Sequence, residues 1–243
     1  MHPSSGLITK PIRLHGERLL RAQKEAVDSN LRALHVEPFL ITQLKATNDD
    51  FSEKLPLHYP DIPFYREWPE DAESKRSFWV PLLSGYDNFL SGHNDFSVGL
   101  MLAESGKIVS LTAYGVENSE VIHINAGSPP IVDGRHVHLK NPKTDSGLCL
   151  IIGSKFLNHP ETLKHKRVRQ SGNELKDMLS LVSGSASLAI GHQPRASIFQ
   201  MIRMFARENG FIIGKLDETD NLLNSGFMLR KRPKLKISRR KKQ

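Results

Sequence analysis

The sequence predicts a mixed α/β protein made of alternating layers of helices and sheets. Three observations carry that expectation. Helical patterning fills most of the first 57 residues; a strand, a turn and a second strand occupy Phe78–Leu102; and strands alternate with helices after about residue 140. The chain has 243 residues, 38% of them hydrophobic and 25% charged, the balance of a globular protein large enough for one large or two modest domains. The expected division is an N-terminal α+β domain over 1–139, a C-terminal α/β domain over 140–229 and a basic tail over 230–243.

Taken in order, Pro11–Leu34 reads as a helix, with Pro11 in its first turn and Leu19, Ala22, Ala26, Ala33 and Leu34 on one stripe. Val36–Leu44 contains Pro38 and reads as a connector, and Thr47–Leu57 reads as a second helix ending before Pro60. The strand Phe78–Leu83 breaks at Ser84-Gly85, a short helix follows at Asp87–Leu90, and the strand Phe96–Leu102 completes the central stretch. Ile108–Tyr114 and Val121–Ile124 are further strands, and Asp133-Gly134 predicts a hairpin between Pro130–Val132 and His136–Leu139. Cys149–Ile152 is a buried strand and Pro160–Lys166 a short helix. Ser171-Gly172-Asn173 precedes another helix. Ile198–Glu208 is amphipathic and stops at Asn209-Gly210, and Phe211–Ile213 is a strand.

The formal net charge of +8 is unevenly spread. Nine Lys and Arg lie in the last fourteen residues with no acid, which leaves the other 229 at −1. The tail is therefore expected to be a disordered basic appendage, either a solubilising terminus or a site for a polyanion, without the interleaved aromatics that base stacking requires. No run of about 18 apolar residues is present and the N-terminus lacks the apolar core of a signal peptide, so a cytoplasmic setting is expected. The single cysteine, Cys149, sits in an apolar run and reads as a small buried residue.

The central stretch FWVPLLSGYDNF, followed by FSVGLML from Phe96, resembles the signature of the inositol monophosphatase family, most closely its 3′(2′),5′-bisphosphate nucleotidase (CysQ-type) branch. Those magnesium phosphatases carry W-x-V-D-P-L-D-G-T-K-E-F and then F-x-V-x-x-A-L at the same separation. Ser171-Gly172-Asn173-Glu174-Leu175-Lys176 is similar to the branch's S-G-S-A-L-K, and Leu223–Phe227 to its closing L-N-P-G-F. Gly153-Ser154-Lys155 falls where the family has Ser-Arg-Ser-His. The resemblance implies the layered αβαβα sandwich of the family; whether the chain forms a homodimer is left open by the sequence.

The resemblance also implies where the metal ligands would stand, and most are missing. Pro81 and Ser84 occupy the positions of the two aspartates of the turn, Tyr86 that of its threonine, Lys45 that of an earlier aspartate, and Ala196-Ser197 that of a late Trp-Asp pair. Glu67 is the one family carboxylate retained. Two or three magnesium ions need several converging carboxylates, because Mg²⁺ takes oxygen ligands octahedrally and activates the attacking water. No metal cofactor is therefore expected. The expected function is that of an inactive phosphatase-like protein keeping a phosphate, nucleotide or scaffold role.

Lys45, Ser84, Gly85, Asp87, Asn88, Ser171, Gly172 and Lys176 are the expected ligand-binding residues, with a phosphorylated nucleotide or inositol phosphate as the partner. The alternative is a residual magnesium-dependent 3′(2′),5′-bisphosphate nucleotidase or inositol-phosphate phosphatase, with Asp87 or Asp95 joining Glu67 at one metal. The blander expectation is that Asp87 caps the helix beginning at Asn88 and that Glu67 pairs with Lys45. His136 and His138, two apart on a strand, leave a zinc site open, although surface strand histidines are commoner.

Overall fold

The computed structural model describes residues 5–28, 33–137, 148–152, 167–191, 194–215 and 227–231. Two helices come first, α1 (Ser5–Asp28) and α2 (Ala33–His58). Ile8, Ile12, His15, Leu19, Ala22 and Ala26 are buried along α1 at helical spacing. The expected break at Val36–Leu44 is instead part of α2. Leu40, Thr47, Phe51 and Leu55 continue one buried stripe through it, and burial of that stripe offsets the cost of Pro38, the sixth residue of the helix, and of Pro56 near its end. His15 joins the two helices through its Nε2, 2.7 Å from Asp50 Oδ2, with its ring stacked on Phe51.

The next strands form a six-stranded antiparallel sheet in sequence order: β1 (Ser77–Ser84), β2 (Ser97–Glu104), β3 (Lys107–Gly115), β4 (Glu120–Asn125), β5 (Ile131–Val132) and β6 (Arg135–His136). The short helix α3 (Tyr86–Leu90) follows β1. The predicted hairpin is present. Asp133 and Gly134 take φ of 47° and 74°, the left-handed pair that a two-residue turn requires.

The second sheet has the order β10-β11-β9-β7-β8 and is mixed, with β7 (Leu148–Ile152) parallel to both β8 (Arg167–Arg169) and β9 (Leu188–Gly191). Strands β10 (Phe211–Lys215) and β11 (Phe227–Lys231) complete it as antiparallel partners. Helices α4 (Glu174–Val182) and α5 (Ala196–Asn209) lie between the sheets. Gly210 caps α5 in the left-handed conformation, as its position in the sequence predicts.

Side-chain alternation along β1 explains the layering. Trp79 and Leu83 face α1 and α2, while Phe78, Val80 and Leu82 face α4 and α5. One apolar cluster runs from those β1 residues through Leu175, Met178, Ile202 and Phe205 to Leu150, Ala189, Phe227 and Leu229 of the second sheet. Cys149 is fully buried with Leu188 and Ile190 on that sheet's other face. The order α, β, α, β is thus observed; the outer helix expected at Pro160–Lys166 lies outside the described residues.

Candidate functional site

The expected site residues fall in two places. The first is a polar knot where the end of β1 meets the start of α4. Alternation puts Ser84 on the α4 side of the strand, where its hydroxyl lies 3.0 Å from Asn173 Oδ1 and 2.8 Å from Glu174 Oε2. The Leu175 N–H donates to Ser84 Oγ at 2.9 Å, and the Gly85 N–H donates to Glu174 Oε2 at 2.9 Å. Gly85 adopts φ 82°, and a Cβ there would lie 2.8 Å from the Asp95 carbonyl oxygen, so the turn admits no side chain.

Around them, Asn88 Nδ2 donates to the carbonyl oxygens of Asp95 and Ser171 at 2.7 and 2.9 Å. Asn173 caps α4 by accepting from the Lys176 N–H, and its Nδ2 donates to Asp95 Oδ1 and Ser97 Oγ. Lys176 donates from Nζ to Asp95 Oδ2 and Glu117 Oε2. Burial works against the Lys176 charge, but Glu117 and Asp95 outweigh it and hold the ammonium pKa above its ordinary value. Asp177, on the next residue of α4, is buried. Desolvation pushes its carboxyl up to about 7, with Glu174 and Asp95 adding to the effect and Ser171 and Arg169 opposing it.

Ser84, Gly85, Asn88, Ser171, Gly172 and Lys176 are thus brought together, but they are spent on one another and on three carboxylates. The notch after β1 already holds an anion, the Glu174 carboxylate. Two expected residues lie apart from it. Lys45 is exposed on α2, and Asp87 is exposed within α3. Asp87 does not cap that helix: Gly85 is the N-cap residue, and no side chain bonds there. The expected Glu67–Lys45 pair does not form either, since among the described residues neither makes an ion pair.

The second place is a cavity of about 370 Å³ between α2, the outer edge of the first sheet and the start of α5. Leu44 and Phe51 of α2, Pro81–Leu83 of β1 and Val98–Gly99 of β2 supply apolar walls. Arg66, Glu67, Trp68 and Arg195–Ser197 line the rest. Glu67, Pro81 and Ala196-Ser197 therefore line one cavity. β1 is an edge strand. The segment beside it runs parallel, with Trp79 N–H donating to Pro63 O and Tyr65 N–H to Trp79 O, both at 2.8 Å. Pro81, two residues on, offers no N–H to that edge, and the cavity opens there.

Arg66 and Arg195 were not anticipated. Arg66 is paired with Asp49 of α2. Arg195 donates to the Leu83 carbonyl oxygen at 2.8 Å and lies over the Tyr86 ring at 4.6 Å, which fixes its guanidinium at the cavity wall. It is also the N-cap residue of α5, whose first turn has no side-chain cap. Chemically, the cavity presents one carboxylate, two guanidiniums and the free N–H groups of a helix start, a set suited to an anion. Among the described residues, no three His, Cys, Asp or Glu side chains are grouped to hold a metal ion, and His138 lies outside those residues.

The helix and sheet layers are those of the inositol monophosphatase fold. Among solved structures the chain is similar to the extragenic suppressor protein suhB from Bartonella henselae, with a TM-score of 0.71 and 16% identity over 93% of each chain. It is similar to 2′AMP-bound Staphylococcal IMPase-II, with a TM-score of 0.70 and 16% identity over 92% of this chain and 87% of that one. An IMPase/NADP phosphatase complexed with Mg²⁺ and phosphate matches at a TM-score of 0.62 and 14% identity, over 76% of this chain and 75% of that one. At these identities the likeness shows the fold. No protein-family model matches the sequence, and no curated protein matches it.

Proposed function

We propose that this chain is a CysQ-like member of the inositol monophosphatase family that binds a small phosphorylated ligand in the cavity and does not hydrolyse it. The observation that carries this reading is the composition of the cavity wall: among the described residues Glu67 is its only carboxylate, while Arg195 contributes a cation held by the Leu83 carbonyl oxygen and Arg66 a second one paired with Asp49. Metal-assisted hydrolysis requires several oxygen ligands to hold Mg²⁺ and lower the pKa of its water. Pro81, Ala196 and Ser197 offer no carboxylate where the family motifs put one. A guanidinium at the wall can instead pair with phosphoryl oxygens directly, which gives binding without a nucleophile.

Similar folds support the ligand class. The neighbours include structures with bound 2′AMP, bound inositol monophosphate, and Mg²⁺ with phosphate. Their common element is a phosphate, so a phosphorylated nucleotide or an inositol phosphate is the ligand proposed here.

Calorimetric titration with Mg²⁺, 3′-phosphoadenosine 5′-phosphate and inositol monophosphate, alongside a phosphate-release assay, tests the proposal. The expected result is metal-independent binding of a phosphate ester and no magnesium-dependent phosphate release above a matched blank. Glu67 still lines the cavity and keeps a second reading in view, a residual magnesium phosphatase. Release that needs Mg²⁺, is suppressed by lithium and disappears in Glu67→Gln would establish that reading instead.

A further inference from the structure

Two opposite charges line the cavity, and among the described residues neither has a charged partner. Glu67 makes no ion pair. Arg195 meets the Leu83 carbonyl oxygen and the Tyr86 ring, but no carboxylate. The third charge, Arg66, is already balanced by Asp49.

Their places are set along β1. The segment pairing with Trp79 through Pro63 and Tyr65 carries the chain on to Glu67, which lines the cavity together with Pro81. Arg195 is held at the same wall by the Leu83 carbonyl oxygen. The cavity lining therefore carries one negative and one positive group that are not paired with each other. Such a lining rewards a ligand that supplies both counter-charges, and a ligand with only one meets attraction at one group and repulsion at the other.

We infer that the cavity, on the anion-binding reading above, selects a zwitterionic phosphate monoester, one carrying an ammonium group as well as its phosphate. The phosphate lies on Arg195 and the ammonium on Glu67. Glu67 then serves as a specificity-determining residue, a carboxylate holding an organic cation.

The test is calorimetry on the full chain at pH 7 with three probes: inorganic phosphate, ethyl phosphate and phosphoethanolamine. Phosphoethanolamine should bind at least tenfold more tightly than ethyl phosphate. Glu67→Gln, at an exposed position where the fold tolerates the change, should erase that preference by weakening phosphoethanolamine and leaving ethyl phosphate equal or tighter. Equal binding of the two esters to the unmodified protein overturns the inference and leaves the anion site standing. A preference that survives Glu67→Gln overturns the role given to Glu67. Failure of all three probes to bind overturns the anion-binding reading itself, and the inference with it.

Discussion

Asp177 shows how one buried group makes the fold sensitive to pH. Its carboxyl is lifted to about 7 chiefly by burial, whereas an exposed aspartate titrates near about 4. The folded chain therefore binds this proton more tightly than the unfolded chain does. Below about pH 4 both states are protonated and the group has no effect. As pH rises towards about 7 it destabilises the fold increasingly, and above that the penalty is complete. Asp177→Asn keeps the shape and removes the ionisation. Its melting temperature should exceed that of the unmodified protein by clearly more at pH 8 than at pH 5, as read by circular dichroism. Parallel melting profiles at the two pH values would show that burial of Asp177 carries no such linkage.

The element most exposed to a single small change is α1 on the first sheet. Gly16 faces Tyr114 of β3, and a Cβ there would lie 2.4 Å from the ring carbon Cδ1 of that buried side chain. Gly16→Ala gains helix propensity but forces the ring or the helix to move, so a net loss of roughly 1–3 kcal/mol is expected. Urea denaturation measures it directly, and an unchanged midpoint would mean that α1 shifts freely on the sheet.

Elements with strong local chemistry were legible in the sequence. The Asp133-Gly134 turn, the Gly210 cap and the apolar strands of the central stretch all stand where the residues place them. The full length of α2 was not legible, because Pro38 reads as a breaker until the stripe from Leu40 to Leu55 is seen packed on a sheet. Strand β8, Arg-Val-Arg, is exposed and has no apolar alternation to betray it. Of the positions that the resemblance singles out, Glu67, Pro81 and Ala196-Ser197 line the cavity, whereas Lys45 and Ser84 do not. Arg195 and Glu174 escaped notice because their partners, Leu83 and Gly85, lie about a hundred residues away in sequence and only folding brings them together.

For the whole molecule, the place of β11 matters. Lys231, the last described residue, pairs with Phe211 just beyond the C-terminal end of α5, whereas the cavity lies at the N-terminal end of that helix. Fourteen helical residues separate the two sites by about 20 Å. If residues 230–243 bind polyanions, deleting 232–243 should abolish retention on heparin while leaving the melting temperature and any affinity at the cavity nearly unchanged. Undiminished retention would move the polyanion site onto the folded body. The shared apolar cluster also sets how the two sheets are coupled. The first sheet has a second core of its own beneath α1 and α2, built on Trp79, Val98, Leu100 and Leu102. Its other face meets α4 and α5 through Phe78, Val80 and Leu82, and the same two helices meet Leu150, Ala189, Phe227 and Leu229 of the second sheet. A load placed on either sheet is therefore passed to the other through α4 and α5, the keel between them.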